Sequence, residues 1–142
     1  MALGIQVVFD CADPASLAAF WAEALGYVVQ PPPPGYESWD VFLREQRMAE
    51  EDLDKASAIV DPDGRGPRIY FQRVPEGKVV KNRVHLDVRA SAGAHGEDGR
   101  RAVREAAEHL KALGATERYE MEELGVFWIT MQDPEGNEFC VT

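Results

Sequence analysis

The chain has 142 residues, a formal net charge of −10, 45% hydrophobic residues and two cysteines. Its length suits one compact domain or two small interdependent modules, with enough apolar material for a core. The acidic balance argues against nucleic acid or an anionic membrane as partner, since both recruit clustered Lys and Arg, and no apolar run approaches the roughly 20 residues that span a bilayer.

Residues 1–4 lead straight into a strand, without a signal-peptide pattern. Cys11 and Cys140 fall in apolar strands, where the expectation is buried free thiols in a reducing cytoplasm. Residues 5–11 (IQVVFDC) are apolar at nearly every position and predict a strand buried on both faces, or nearly so. Alternation puts Ile5, Val7, Phe9 and Cys11 on one face and Gln6, Val8 and Asp10 on the other. Asp13 is a good N-cap and Pro14 suits the first helical position. Leu17, Phe20, Trp21, Ala24 and Leu25 then form one helical stripe, closed by Gly26. That stripe is expected to dock on the Ile5, Val7 and Phe9 face.

Residues 27–30 read as a short strand, ended by four prolines at 31–34. Residues 39–47 and 49–55 predict two short helices, with Ser38 as an N-cap and Trp39, Phe42, Leu43 and Met48 as an apolar face. This segment has no counterpart later in the chain; a lid, a patch for a partner chain and a plain packing element all fit it. Residues 58–60, a turn at 61–67 (DPDGRGP) and residues 68–74 form a hairpin, and the Pro/Gly-containing stretch 75–82 is a module boundary.

Residues 83–89 (RVHLDVR) mirror the first strand, with Val84, Leu86 and Val88 on one face and His85, Asp87 and Arg89 on the other. Residues 91–99 read as a polar, Gly-rich loop without a phosphate-cradling pattern. A helix follows over 101–113, with Val103, Ala106, Ala107, Leu110 and Leu113 on one side and His109 solvated. Residues 116–122 predict a strand whose Glu117, Glu120, Glu122 and Glu123 form a solvated acidic edge. Strands at 126–132 and 138–141 flank the turn Asp133-Pro134-Glu135-Gly136-Asn137. Pro134 presets φ there, and Gly136 or Asn137 accepts φ > 0.

Strand, helix ending Ala-Leu-Gly, strand, then a hairpin around Asp-Pro thus occur twice, which is an internal duplication. The fold class that follows is α+β: two βαβββ modules, 1–76 with a helical insertion at about 36–55, and 77–142, forming a curled mixed-sheet cup with helices on the outside. The non-helix faces would line the cup with Gln6, Asp10, Tyr70, Gln72, His85, Asp87, Arg89, Glu138 and Cys140, beside the apolar Val8 and Trp128. His85 is the sharpest single residue, open to a structural hydrogen bond, a metal or a general-base role. No HxxxH, HExxH or CxxC spacing occurs, so no metal site follows from local motif.

Phe9-Asp10-Cys11-Ala12-Asp13-Pro14 leading to Phe20-Trp21 and Leu25-Gly26 carries a resemblance. So do residues 70–76 (YFQRVPE), 81–88 (KNRVHLDV) and 133–139 (DPEGNEF). The chain resembles the vicinal oxygen chelate superfamily of glyoxalase I, extradiol dioxygenases, fosfomycin-resistance enzymes and bleomycin-resistance proteins, in its glyoxalase-like branch. The resemblance implies metal-ligand positions on the first and fourth strand of each module, falling on Gln6, near Gln72, on His85 and on Cys140. That set holds no carboxylate, and neutral amides are poor ligands for Fe(II), Mn(II) or Zn(II).

Two readings follow. In the favoured one the metal site is lost and the protein binds a small apolar or aromatic molecule, or performs metal-free chemistry with His85 as catalytic residue. Gln6, Tyr70, Gln72, Asp87, Trp128 and Glu138 then contact the ligand. In the other, a divalent metal sits on His85, Gln6 and Glu138, or Asp87 supplies the charge, and the protein is a lyase, isomerase or dioxygenase. Glyoxalase I activity itself is not favoured, because its ligand set is not reproduced. A structural or regulatory dimer without ligand is a third reading, and a cytoplasmic homodimer is expected in any case.

Overall fold

Asp13 and Gly26 set the ends of the first helix, α1 (Pro14–Leu25). The Asp13 carboxylate accepts from the Ser16 amide at 3.2 Å and its hydroxyl at 2.7 Å, and Gly26 takes φ 67°, where a Cβ would be penalised. Leu17, Phe20 and Trp21 are buried from this helix. The Trp21 ring lies 5.3 Å from that of Phe9, which in turn stacks on Phe71 at 5.3 Å. Burial of side chains this large contributes about 1.5–3 kcal/mol each.

The computed structural model describes residues 1–142, in two compact units, Met1–Gly77 and Lys78–Thr142. The first runs β1 (Val7–Cys11), α1, β2 (Val28–Val29), α2 (Trp39–Glu45), a 3-10 turn (Glu50–Asp52), β3 (Ala56–Val60) and β4 (Ile69–Arg73). The second runs β5 (Asp87–Val88), α3 (Gly96–Ala112), β6 (Thr116–Glu123), β7 (Val126–Gln132) and β8 (Glu138–Val141). Each unit holds one four-stranded mixed sheet, ordered β1-β4-β3-β2 and β5-β8-β7-β6. In each, the first strand pairs in parallel with the last. This is the two-module α+β fold that the repeat predicts.

Four local expectations are corrected. The first strand is not buried on both faces: α1 covers Cys11 and Phe9, while Val8 is 48% exposed. The fifth strand shrinks from residues 83–89 to Asp87–Val88, and Val84 is 81% exposed. Its partner begins only at Glu138, which the parallel register sets opposite His85, so residues 83 and 84 fall opposite the 133–137 turn and have no strand to pair with. The helix expected over 101–113 starts at Gly96 and absorbs half of the Gly-rich loop. Glu97 and Asp98 in its first turn offset the helix dipole. Finally, residues 49–55 make only a single 3-10 turn after Arg47 leaves α2 at φ 63°.

The acidic edge of β6 is paired with α3 rather than simply solvated. Arg100 meets Glu122 at 2.5 Å, Arg104 meets Glu120 at 3.1 Å and Lys111 meets Glu117 at 3.3 Å. Beneath this ladder Val103, Ala107 and Leu110 pack with Ile129, Met131, Phe139 and Val141, all buried.

Candidate functional site

Strand register decides which side chains share the face that each unit's helix leaves uncovered. In the second sheet Asp87 pairs with Cys140, Cys140 with Thr130, and Thr130 with Tyr119, so these four lie in one row. Trp128 pairs with Met121 on the same face and is half-buried. Tyr119 and Met121 are 52% and 43% exposed.

At one end of that row, His85 Nε2 lies 3.3 Å from Asp87 Oδ1. Cys140 completes a group in which one donor atom of each residue lies within 4.8 Å of the others. The Cys140 thiol is 3.7 Å from the Thr130 hydroxyl. Burial pushes the thiol's pKa up, the Asp87 carboxylate adds to this, and Thr130 and Lys81 oppose it, so the sulfur stays protonated at neutral pH. Imidazole, carboxylate and thiol together are a donor set that fits a divalent ion of the zinc type, with one proton released on binding.

Glu138 is engaged differently. Its side chain is 15% exposed and meets the Lys78 ammonium at 3.0 Å and the Asn82 amide at 2.9 Å. Burial alone would raise its pKa, but the Asn82 amide and Lys78 outweigh it and bring it down to about 2.

The first unit's uncovered face is organised by a cation. Arg68 donates to Gln6 Oε1 and to Gln30 Oε1, each at 2.7 Å, and its guanidinium lies 5.3 Å from the centre of the half-buried Tyr70 ring. Gln72 donates to Asp10 Oδ1 at 2.7 Å.

The structure therefore brings His85 and Asp87 together, adds Cys140, and turns Glu138 toward Lys78 and Asn82. Gln6, Tyr70 and Gln72 belong to the first unit, around Arg68 and Asp10. Arg89 does not continue the His85–Asp87 row. The strand ends at Val88, and Arg89 lines a recess bordered by α3 and the β6–β7 turn. Sequence reasoning missed Thr130, whose parity with Trp128 on β7 was the available signal, and Arg68, which shares the parity of Tyr70 and Gln72.

Residues 6–142 match the family described as glyoxalase-like domain. No protein of curated function matches. Among solved structures, the chain is similar to the fosfomycin resistance protein FosX of Listeria monocytogenes, with 16% identity, 99% of this chain and 93% of that one covered, and a TM-score of 0.63. A glyoxalase/bleomycin resistance protein/dioxygenase family enzyme of Burkholderia phytofirmans is 16% identical over 96% of this chain and 94% of its own, with a TM-score of 0.60. The bleomycin-binding protein of Streptomyces verticillus, solved with copper(II)-bleomycin, is 16% identical over 100% of this chain and 96% of its own, with a TM-score of 0.54. At such identities the likeness is one of fold.

Proposed function

The chain belongs to the glyoxalase-like domain family of the vicinal oxygen chelate superfamily, and from that premise we propose that it binds a small molecule with an apolar or aromatic body, without a metal on Gln6 and Glu138. The observation that carries this reading is that both of those oxygen donors already serve cations of the protein itself. Gln6 accepts from Arg68, and Glu138 from Lys78 and Asn82. A metal ion on Glu138 would have to displace its ion pair with Lys78, and one on Gln6 would sit against the Arg68 guanidinium, each unfavourable. In the second unit Trp128 and Tyr119 on the uncovered face offer apolar surface for the ligand, and His85 and Asp87 offer polar contacts. Relatives in fold include a bleomycin-binding protein, which supports a binding role for this chain as well. A homodimer in the cytoplasm completes the proposal.

The test is a thermal-shift screen of aromatic and apolar small molecules, run on chelator-treated protein and repeated with metal restored. A ligand that raises Tm equally in both supports the reading. Stabilisation that appears only after metal is restored sinks it.

One observation favours a second reading. His85, Asp87 and Cys140 form a three-donor group within a single unit, and those residues would hold a divalent ion. Such an ion supplies Lewis-acid polarisation of substrate oxygens. The chain's own part is to orient it: Asp87 fixes the His85 ring and Thr130 positions the Cys140 sulfur. Metal content of untagged protein, followed by titration with Fe(II), Mn(II), Zn(II) and Ni(II), separates the readings. Stoichiometric binding lost in both His85→Ala and Cys140→Ala selects the second.

A further inference from the structure

A recess of about 410 Å³ opens in the second unit on the α3 side of the sheet, away from the His85 row. That lies within the span of roughly 300–1,000 Å³ common to small-molecule sites. Val103 of α3 and Phe127 of β7 form its floor, Val126 its apolar rim, and Arg89, Ser91 and His95 its polar rim. Phe127 belongs to the alternation that buries Ile129 and Met131 against α3, whereas Trp128 and Thr130 point the opposite way.

The charges on the rim are unequal. Arg100 is held by Glu122 through two hydrogen bonds, at 2.5 and 3.2 Å, and by Glu97 at 3.5 Å, so that cation and the Glu122 carboxylate neutralise each other. Arg89 makes no ion pair and no side-chain hydrogen bond. The His95 side chain makes no capping bond to α3 either. An unspent guanidinium beside an apolar floor suits a molecule with an apolar body and one anionic end.

The walls are also held in costly conformations. Only Arg47, Ala92 and Leu124 have positive φ among the non-glycine residues; Ala92, at 49°, lines the recess, and Leu124, at 50°, precedes Gly125, which lines it too. Gly99 is buried in the wall, and a Cβ there would come within 2.6 Å of the Ala94 carbonyl oxygen, so no larger residue fits.

We infer that this recess binds a monocarboxylate with an apolar body, its carboxylate on Arg89 and its body on Val126 and Phe127. The inference is independent of the reading given for the uncovered faces. Isothermal titration of the full chain with phenylacetate and with phenylacetamide tests it. Phenylacetate is expected to bind about tenfold or more tightly than the amide, the scale of one charge-assisted hydrogen bond. Arg89→Gln should erase that difference while leaving the amide's affinity unchanged. Val126→Trp, at a position 54% exposed and so tolerant of bulk, should abolish binding of both. His85→Ala should change neither. Absence of phenylacetate binding at millimolar concentration overturns the inference, as does binding that survives Val126→Trp or is lost in His85→Ala.

Discussion

The two sheets share strand order and parallel closure, yet their uncovered faces do opposite electrostatic work. In the first, Arg68 reaches across to Gln6 and Gln30, so the amide oxygens of that face are committed to a cation of the chain itself. In the second, His85, Asp87 and Cys140 converge with no cation hydrogen-bonded among them, while Lys78 is committed to Glu138. Duplication kept the backbone pairing because both copies need it to bury a helix. It left the exposed face of each copy free to diverge. The lesson is that chemistry in this molecule is to be sought unit by unit.

The comparison is sharpest at the two Asp-Pro turns. Asp133 is 3% exposed, and its carboxylate accepts from the amides of Glu135 and Asn137 and from the Asn137 side chain. Asp61 makes the matching bonds to the amides of Asp63, Arg65 and Gly66 in a more open turn. Asp133→Ala is expected to cost about 3 kcal/mol in urea unfolding, because three part-buried donors lose a buried acceptor. Asp61→Ala should cost clearly less, since water reaches its donors. Equal losses would break the argument from burial.

A smaller effect, on the order of 2 kcal/mol, is expected at Glu138. Its pKa falls from an ordinary 4.5 to about 2 on folding. The folded state therefore binds its proton less readily than the unfolded state. The associated stability is fully present above about pH 4.5 and is lost as pH falls toward 2. Unfolding of Glu138→Gln measured from pH 7 to pH 3 should show a flatter acid limb than the parent. An unchanged slope would mean that Lys78 and Asn82 do not hold the carboxylate in solution.

His85→Ala should leave stability within about 0.5 kcal/mol, as expected for a side chain 43% exposed, yet weaken binding of metal or ligand at the second sheet about tenfold or more. Unchanged binding removes His85 from the site. Arg68→Met is expected to cost about 1 kcal/mol or less in stability. Its informative readout is metal titration. If Gln6, once released, confers binding that the parent lacks, the cation was what separated the two faces.

Much of this was legible in the sequence, for reasons tied to particular residues. Asp13, Pro14 and Gly26 delimit α1 because capping chemistry is local, and the bounds of β7 and β8 follow from alternation around a turn whose Pro134 and Gly136 have fixed uses. What was not legible depends on partners distant in the chain. The length of β5 is set by where β8 begins, some fifty residues on, and no local pattern in residues 83–86 reports it. The start of α3 was obscured because Gly96 and Gly99 look like loop residues, whereas Gly99 is there for its close approach to Ala94. For the candidate site, parity grouped His85 with Asp87. It could not reveal that Glu138 is spoken for by Lys78, a contact made by a side chain from the linker.

The parallel pairing of the first and last strands in each unit orders events in time. β6 and β7 pair across a tight turn and so close a short loop, whereas β5 must await β8, some fifty residues on, before it gains any sheet partner. The His85–Asp87–Cys140 group is therefore among the last features of its unit to form. A chain cut before Phe139 would lack both the partner of β5 and the Cys140 donor, and so the assembled group.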